Sequence, residues 1–167
     1  MNQSAIDRSF QPLYGHPCWG LHFERNLNLS MNFGKPSLRV REPYDTDSKS
    51  KAVRRMASRR MVTVHGQWWL WFYCCCWRLT CGDLRLATSS SALRRIKRAT
   101  VQLDGQKLVS LAVTPETGAT RFDFDLGCVL HCRRFERDSD AELWMLYKPS
   151  GYVLSVHANG TFSHQRG

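Results

Sequence analysis

Closely spaced turn residues constrain the fold of this chain more than any other feature of its sequence. After residue 100, short apolar segments are separated by Asp104-Gly105, 114–118, Gly127, 148–151 and Asn159-Gly160. Asp-Gly and Asn-Gly favour two-residue β-hairpin turns because both turn positions take positive φ angles. Short strands joined by such turns pair with their sequence neighbours, so the pattern predicts an antiparallel meander.

Alternating apolar and polar residues predict strands along most of residues 61–167. The predicted strands are 61–64, 68–73, 77–79, 83–86, 101–103, 107–113, 121–126, 128–135, 142–147, 152–157 and 161–163. In one of them Phe122, Phe124 and Leu126 share a face, and charged residues share the other. The predicted fold class is mainly β, as an antiparallel meander sheet or a partly open barrel.

The strand at 68–73 is apolar on both of its faces. Its two faces are formed by Trp68, Leu70, Phe72 and Cys74 on one side and Trp69, Trp71, Tyr73 and Cys75 on the other. We therefore predict a central strand that is covered on both sides. No membrane span is predicted, because the apolar stretch 61–79 contains His65, Gly66, Gln67 and Arg78 and its bulk is aromatic.

One short α-helix is predicted at about 89–98. Ser89, Ser90 and Ser91 offer N-caps, and Leu93 and Ile96 are one turn apart, so that they can dock on a sheet. The remaining positions of this helix would expose four cations. These candidate partner-binding residues are Arg94, Arg95, Lys97 and Arg98.

Residues 1–60 differ from residues 61–167 in charge and in periodicity. We therefore divide the chain into a basic, poorly structured N-terminal segment and an antiparallel β domain. The segment lacks sustained periodicity and holds four of the six prolines. It also holds 11 of the 24 Lys and Arg but only 5 of the 14 Asp and Glu, a net charge of +6 out of +10. Its most basic part, 49–60, could form a short helix and offers candidate nucleic-acid contacts. These are Lys49, Lys51, Arg54, Arg55, Arg59 and Arg60.

The net charge favours acidic partners, either an acidic protein or nucleic acid. The seven irregularly spaced cysteines, three of them consecutive, do not form a disulfide framework. We interpret them as small apolar side chains in a reducing cytoplasm. The first seven residues have no charged region followed by an apolar run, so no secretory signal is predicted.

Catalytic signatures are weak throughout the sequence. Asp123 and Asp125 share a strand face and could act as paired carboxylates or bind a divalent ion. Cys128, His131 and Cys132 are potential zinc ligands, but His131 would point away from the two thiols on a strand. The chain has no nucleophile elbow and no phosphate-binding loop, so a non-enzymatic protein without metal or cofactor is predicted.

Part of the chain resembles a known group of proteins. The segments Leu103–Leu108, Phe122–Gly127, Leu143-Trp144 and Gly151–Leu154 carry the resemblance. They are similar to small bacterial β domains, some of which are immunity proteins of toxin systems, over about residues 61–165. The resemblance rests on hairpin-forming residues and implies a stoichiometric binder of a protein such as a toxin, with no functional residues to transfer.

Three hypotheses follow from the sequence. The first is a cytoplasmic, immunity-like binding protein that occludes an acidic protein partner through the cations of the predicted helix. The second is a nucleic-acid-binding protein that uses the same helix together with 49–60. The third is a metal-dependent hydrolase built around Asp123 and Asp125.

Overall fold

The computed structural model describes residues 3–23, 28–135 and 140–167. In chain order its elements are α1 Gln3–Phe10, β1 Cys18–Phe23, β2 Leu29–Phe33, β3 Ser37–Arg41, α2 Lys51–Ala57, β4 Met61–His65, β5 Trp68–Phe72, β6 Cys75–Cys81, β7 Leu84–Thr88, α3 Leu93–Leu103, β8 Leu108–Val113, β9 Thr120–Phe124, β10 Cys128–Arg134, β11 Glu142–Tyr147, β12 Tyr152–His157 and β13 Phe162–Arg166.

The strands form two open antiparallel sheets and one two-stranded ribbon. Sheet 1 has the order β1-β2-β5-β11-β12-β13, sheet 2 has the order β7-β6-β10-β9-β8, and β3 pairs with β4 in the ribbon. The predicted mainly β class is confirmed, and the runs β8-β9-β10 and β11-β12-β13 are the expected meanders. Within the described residues neither sheet closes on itself, so the partly open barrel is not formed.

The two sheets pack face to face around a shared aromatic core. Phe122 of sheet 2 contacts Phe72 and Trp144 of sheet 1, with ring centroids 5.3 Å and 5.7 Å apart. The indole Nε1 of Trp144 donates a buried hydrogen bond of 2.8 Å to Thr120 Oγ1 of sheet 2. Because the inward residues of both sheets belong to one buried cluster, the architecture is a β-sandwich.

The run of three cysteines carries the chain from sheet 1 to sheet 2. Cys74 has a φ angle of +41°, which breaks the alternation of the strand that ends at Phe72. As a result Cys75 is buried in the common core, so the prediction that it shares a strand face with Trp69, Trp71 and Tyr73 is wrong.

The strand β5 is central, as predicted, because it lies between β2 and β11. Trp69 and Trp71 are only half-buried and Tyr73 is 37% exposed. The prediction that both faces of this strand are covered is therefore wrong, since its outer face borders solvent instead of a second core.

The prediction of a poorly structured N-terminal segment is also wrong for the residues described. Ile6, Phe10 and Leu13 are fully buried in the common core, and β2 pairs with β5 across the middle of sheet 1. The four prolines of this segment lie between its α-helices and strands, where they interrupt no ladder.

The helix predicted at 89–98 begins and ends later, at Leu93 and Leu103, and α1 and α2 bring the number of described α-helices to three. Ala92 occupies the N-cap, not one of the preceding serines. Ile96, Ala99 and Leu103 are buried at helical spacing, so the predicted strand at 101–103 and its Asp104-Gly105 hairpin are wrong. Gly105 instead follows the end of this helix, and its φ of +86° is the left-handed conformation common at helix C-termini.

We predict that Leu13→Ala lowers the free energy of unfolding by about 2–5 kcal/mol, because it leaves a cavity in a core that the N-terminal segment helps to form. Leu38→Ala is the matched control in the same segment, since Leu38 is 70% exposed, and should change stability by less than about 0.5 kcal/mol. Urea denaturation monitored by tryptophan fluorescence measures both. Equal, small effects would mean that residues 1–60 are not part of the core.

An arginine-lined cleft as the candidate functional site

A broad cleft lies on the outer face of sheet 2, and we call it the arginine cleft. Its cationic and titratable lining residues are Arg78, Arg85, Arg121, Arg133 and His131. Apolar lining comes from Ala112, Val113 and Phe135, and Ser89 and Ser90 border the end next to α3. The volume of the cleft is about 700 Å³, within the range of ligand sites, roughly 300–1,000 Å³.

The register of sheet 2 creates this concentration of charge. His131 of β10 lies directly opposite Arg78 of β6 on one side and Arg121 of β9 on the other. Side chains directly opposite each other on neighbouring strands have Cβ atoms about 4.5–5.5 Å apart. Three basic side chains are therefore adjacent in one row across the sheet, and Arg133 is two residues beyond His131 on the same face.

Only one of these arginines is neutralised within the described part of the chain. Arg121 Nη2 forms an ion pair of 2.7 Å with Asp123 Oδ1, and Ser110 Oγ donates to Asp123 Oδ2 at 3.0 Å. Arg78, Arg85 and Arg133 have no carboxylate partner among the described residues. The cleft thus presents three guanidinium groups that can each form bidentate hydrogen bonds with a carboxylate or phosphate.

The ionisation of the groups in the row follows from this arrangement. Burial lowers the pKa of His131, and the charges of Arg78 and Arg121 lower it further, against a smaller opposing effect of Asp123. Burial alone would raise the pKa of Asp123, but hydrogen bonds from Arg121 and Ser110 hold it below its usual value. Near neutral pH the imidazole is therefore neutral and the carboxylate is ionised.

Asp123 and Asp125 are not brought together as a catalytic pair. Asp123 is engaged by Arg121 and Ser110, whereas Asp125 Oδ1 accepts a hydrogen bond of 2.8 Å from the backbone N–H of Lys107. In the part of the chain that the structure describes, no three His, Cys, Asp or Glu side chains are grouped as metal ligands. This geometry favours a charge-balancing role for Asp123 over the hydrolase hypothesis.

Burial makes the thiols of Cys18 and Cys128 poor nucleophiles. Burial raises the pKa of Cys18 and of Cys128 to about 12, with further increases from Asp104 and from Cys81 respectively. Four of the seven thiols are buried, in agreement with the predicted role as small apolar side chains. Cys128 and Cys132 point into the core and His131 points out of it, so the predicted alternation is confirmed.

The predicted cations of α3 do not line the arginine cleft; Arg95 and Arg98 instead line a separate surface groove together with Leu84 and Leu86. Arg94, Arg95, Lys97 and Arg98 are all exposed. Arg95 is occupied, because its guanidinium donates to the carbonyl oxygens of Leu86 and Arg85 at 2.6 Å and 2.9 Å. It thereby covers part of the open edge of β7, which is a structural role.

The six predicted nucleic-acid contacts do not line the arginine cleft but lie in a segment that we call the arm (residues 37–65, comprising β3, α2 and β4). Lys49, Lys51, Arg54, Arg55, Arg59 and Arg60 are all exposed there. Arg60 forms an exposed ion pair of 2.8 Å with Glu42. The predicted short helix is confirmed as α2, with Ser50 as its N-cap.

Sequence reasoning missed the four arginines of the cleft as a group. Three of them directly follow an inward residue of their strand: Arg78 follows Trp77, Arg121 follows Thr120 and Arg133 follows Cys132. That alternation identifies each of them as a surface residue, but only the register of four different strands brings them together.

Comparison with known proteins adds no assignment. Neither protein-family models, nor curated proteins, nor solved structures gave a match to this chain. No helix among the described residues is long and apolar enough to cross a membrane.

We predict that Arg78→Gln raises the pKa of His131, because it removes one of the two charges that oppose protonation. Histidine NMR titration measures the pKa directly, and Arg98→Gln on α3 serves as the control that leaves it unchanged. In the wild-type protein His131 should titrate below about 6.5. Its contribution to stability is then complete above that pH and is lost as the pH falls through the folded-state pKa. An unchanged His131 pKa in Arg78→Gln would contradict the described contact.

Proposed function

We propose that this protein is a non-enzymatic binding protein that occludes an acidic protein partner through the arginine cleft. The observation that carries the proposal is the row Arg78, His131 and Arg121 on adjacent strands, with Arg133 and Arg85 beside it and one paired carboxylate, Asp123.

A row of like charges is unfavourable in an unbound sheet. Like charges directly opposite each other on neighbouring strands are destabilising, and here the cost is reduced by the neutral imidazole of His131 and by Asp123. Arg78, Arg85 and Arg133 remain without such compensation among the described residues. A ligand that brings carboxylates into the cleft supplies it, which makes binding the simplest reason for the arrangement.

The composition of the cleft favours a protein over a phosphate backbone. All of its fully charged lining residues are arginine, and Ala112 and Phe135 add apolar surface beside them. Arginine together with aromatic and aliphatic surface is typical of the centre of protein interfaces. Three guanidinium groups without a carboxylate partner among the described residues, held in one bounded cleft, match two or three Asp or Glu side chains better than a long, regular array of phosphates.

The immunity-like role inferred from residues 61–165 is one form of this proposal, in which the partner is a toxin and binding blocks its active surface. In this role the exposed Arg94, Lys97 and Arg98 of α3 are peripheral contacts that accelerate association. We expect the complex to form in a reducing cytoplasm, where all seven cysteines remain thiols.

We predict that Arg78→Glu combined with Arg133→Glu abolishes capture of the partner. Tagged full-length protein is used to capture proteins from its source cells after nuclease treatment, and the captured protein is then titrated with each purified variant. Each single reversal should weaken affinity at least tenfold, about 1.4 kcal/mol, because a buried guanidinium–carboxylate pair is replaced by two repelling carboxylates.

Two further variants define where the partner lies. Lys97→Glu with Arg98→Glu should mainly slow association and weaken its salt dependence, as expected of peripheral charges. Lys51→Glu with Arg55→Glu changes the arm and should leave affinity unchanged. Wild-type affinity of the Arg78 and Arg133 reversals would overturn the assignment of the cleft as the binding surface.

Nucleic-acid binding is the second candidate, and the arm favours it. The arm holds eight Lys and Arg against three Asp and Glu, and its six predicted contact residues are all exposed. A two-stranded ribbon and a short helix are both elements that can approach a nucleic-acid groove.

We predict for this candidate that the pattern of variant effects is reversed. Lys51→Glu with Arg55→Glu should abolish binding of a fluorescent oligonucleotide, whereas Arg78→Glu should reduce it little. The logarithm of the affinity should fall linearly and steeply with the logarithm of the salt concentration, because phosphate contacts release counterions. Affinity that is insensitive to salt would exclude this candidate.

A further inference from the structure

A second cleft lies on the outer face of sheet 1, on the opposite side of the sandwich from the arginine cleft. We call it the indole cleft. It is lined by Gly20, His22, Asn28, Ser30, Asn32, Thr63, Val64, His65, Trp69 and Trp71, and its volume is about 470 Å³. Unlike the arginine cleft, its described lining contains no Lys, Arg, Asp or Glu.

Register across sheet 1 places polar residues beside the two tryptophans. Ser30 of β2 lies opposite Trp71 of β5, and Asn32 lies opposite Trp69. The two indole rings are nearly parallel, with an interplanar angle of 12° and centroids 5.4 Å apart. Together they give the cleft an aromatic wall bordered by hydroxyl and amide groups.

The polar side chains of this cleft are buried but incompletely bonded. Asn28 is 7% exposed and Ser30 is 8% exposed, yet neither side chain forms a hydrogen bond with a described residue. Asn32 is 8% exposed, and its Oδ1 accepts a hydrogen bond of 3.0 Å from the N–H of Gly66, which leaves its amide donors available. The side-chain nitrogen and oxygen atoms of these residues reach the surface of the cleft, since among the described residues Arg41 Nε alone is a buried side-chain nitrogen or oxygen without a hydrogen-bond partner. They are therefore open to hydrogen bonds with a ligand.

One of the two histidines of the cleft, His65, adds no charge near neutral pH. Burial lowers the pKa of His65, and the nearby charge of Arg39 lowers it further. His65 Nε2 lies 2.8 Å from Thr63 Oγ1 and is thereby oriented at the border of the cleft. The lining therefore combines aromatic surface with amide and hydroxyl groups and two histidines.

We propose that the indole cleft is a carbohydrate-binding site. The ligand has to contact two indoles, to donate and accept hydrogen bonds at Asn28 and Ser30, and to carry no net charge. A sugar ring meets all three requirements, because its C–H groups are attracted to the negative faces of aromatic rings and its hydroxyls both donate and accept. A nucleotide fits less well, because the described lining offers its phosphates no Lys or Arg.

The test uses the full-length protein and a panel of neutral monosaccharides and their linear tetrasaccharides, including glucose, galactose, mannose and N-acetylglucosamine. Tryptophan fluorescence and saturation-transfer NMR report binding. At least one saccharide should bind saturably, and Asn28→Ala and Ser30→Ala should each weaken it at least fivefold. Ser163→Ala is the matched control, because Ser163 lies in the same cross-strand row as Ser30 but outside the cleft.

Further outcomes separate this inference from the proposed function. Arg78→Glu should leave saccharide binding unchanged, since that residue lines the arginine cleft on the opposite sheet. Unfolding midpoints of the Asn28 and Ser30 variants within a few degrees of wild type show that the cleft itself, not the fold, was altered. The inference is overturned if no saccharide binds, if both alanine variants bind like the wild type, or if adenosine or uridine binds in place of every saccharide.

Discussion

The contact of Trp144 with the opposite sheet is the interaction on which the rest of the molecule depends. Its ring packs edge-on against Phe10 and Phe122, with centroid distances of 5.5 Å and 5.7 Å, and its N–H is satisfied by Thr120 of sheet 2. Thr120 in turn donates to the carbonyl of Gly118 at 2.8 Å. A buried indole must find a hydrogen-bond acceptor, so this contact specifies the position of one sheet on the other as well as contributing apolar burial.

Because core packing fixes which residues of each strand face inward, it also determines which residues form the outer faces. A slip of one residue would move every inward side chain of a strand to solvent. Trp77, Phe122 and Leu130 are buried, so their neighbours Arg78, Arg121 and His131 have to point outward from three adjacent strands. The arginine cleft is thus a consequence of core packing as much as of the basic residues themselves.

The parts of the fold that the sequence predicts correctly are those specified by signals within a single short segment. Strands β11 and β12 were predicted at their observed bounds, because alternation and the turns that flank them are local signals. The Asp104-Gly105 pair was misread because the same dipeptide ends helices and turns hairpins, and Ile96, Ala99 and Leu103 decided for the helix. The burial of Ile6 and Phe10 depends on surfaces supplied by later strands, which a pattern within residues 1–60 cannot reveal.

The two outer faces of the sandwich now have different chemical characters for one physical reason. Both outer faces can hold charged and polar residues that would be unfavourable in the core, since neither face contributes to the packing between the sheets. Sheet 2 uses this freedom to hold arginines whose mutual repulsion is offset by the neutral form of His131 and by Asp123. Sheet 1 uses it to hold half-buried tryptophans beside incompletely bonded amide and hydroxyl groups. Like charges on neighbouring strands reduce the stability of the unbound protein, and under the proposed function a partner that supplies carboxylates offsets this cost by mass action. Until then the cost is offset by the shared core around Trp144.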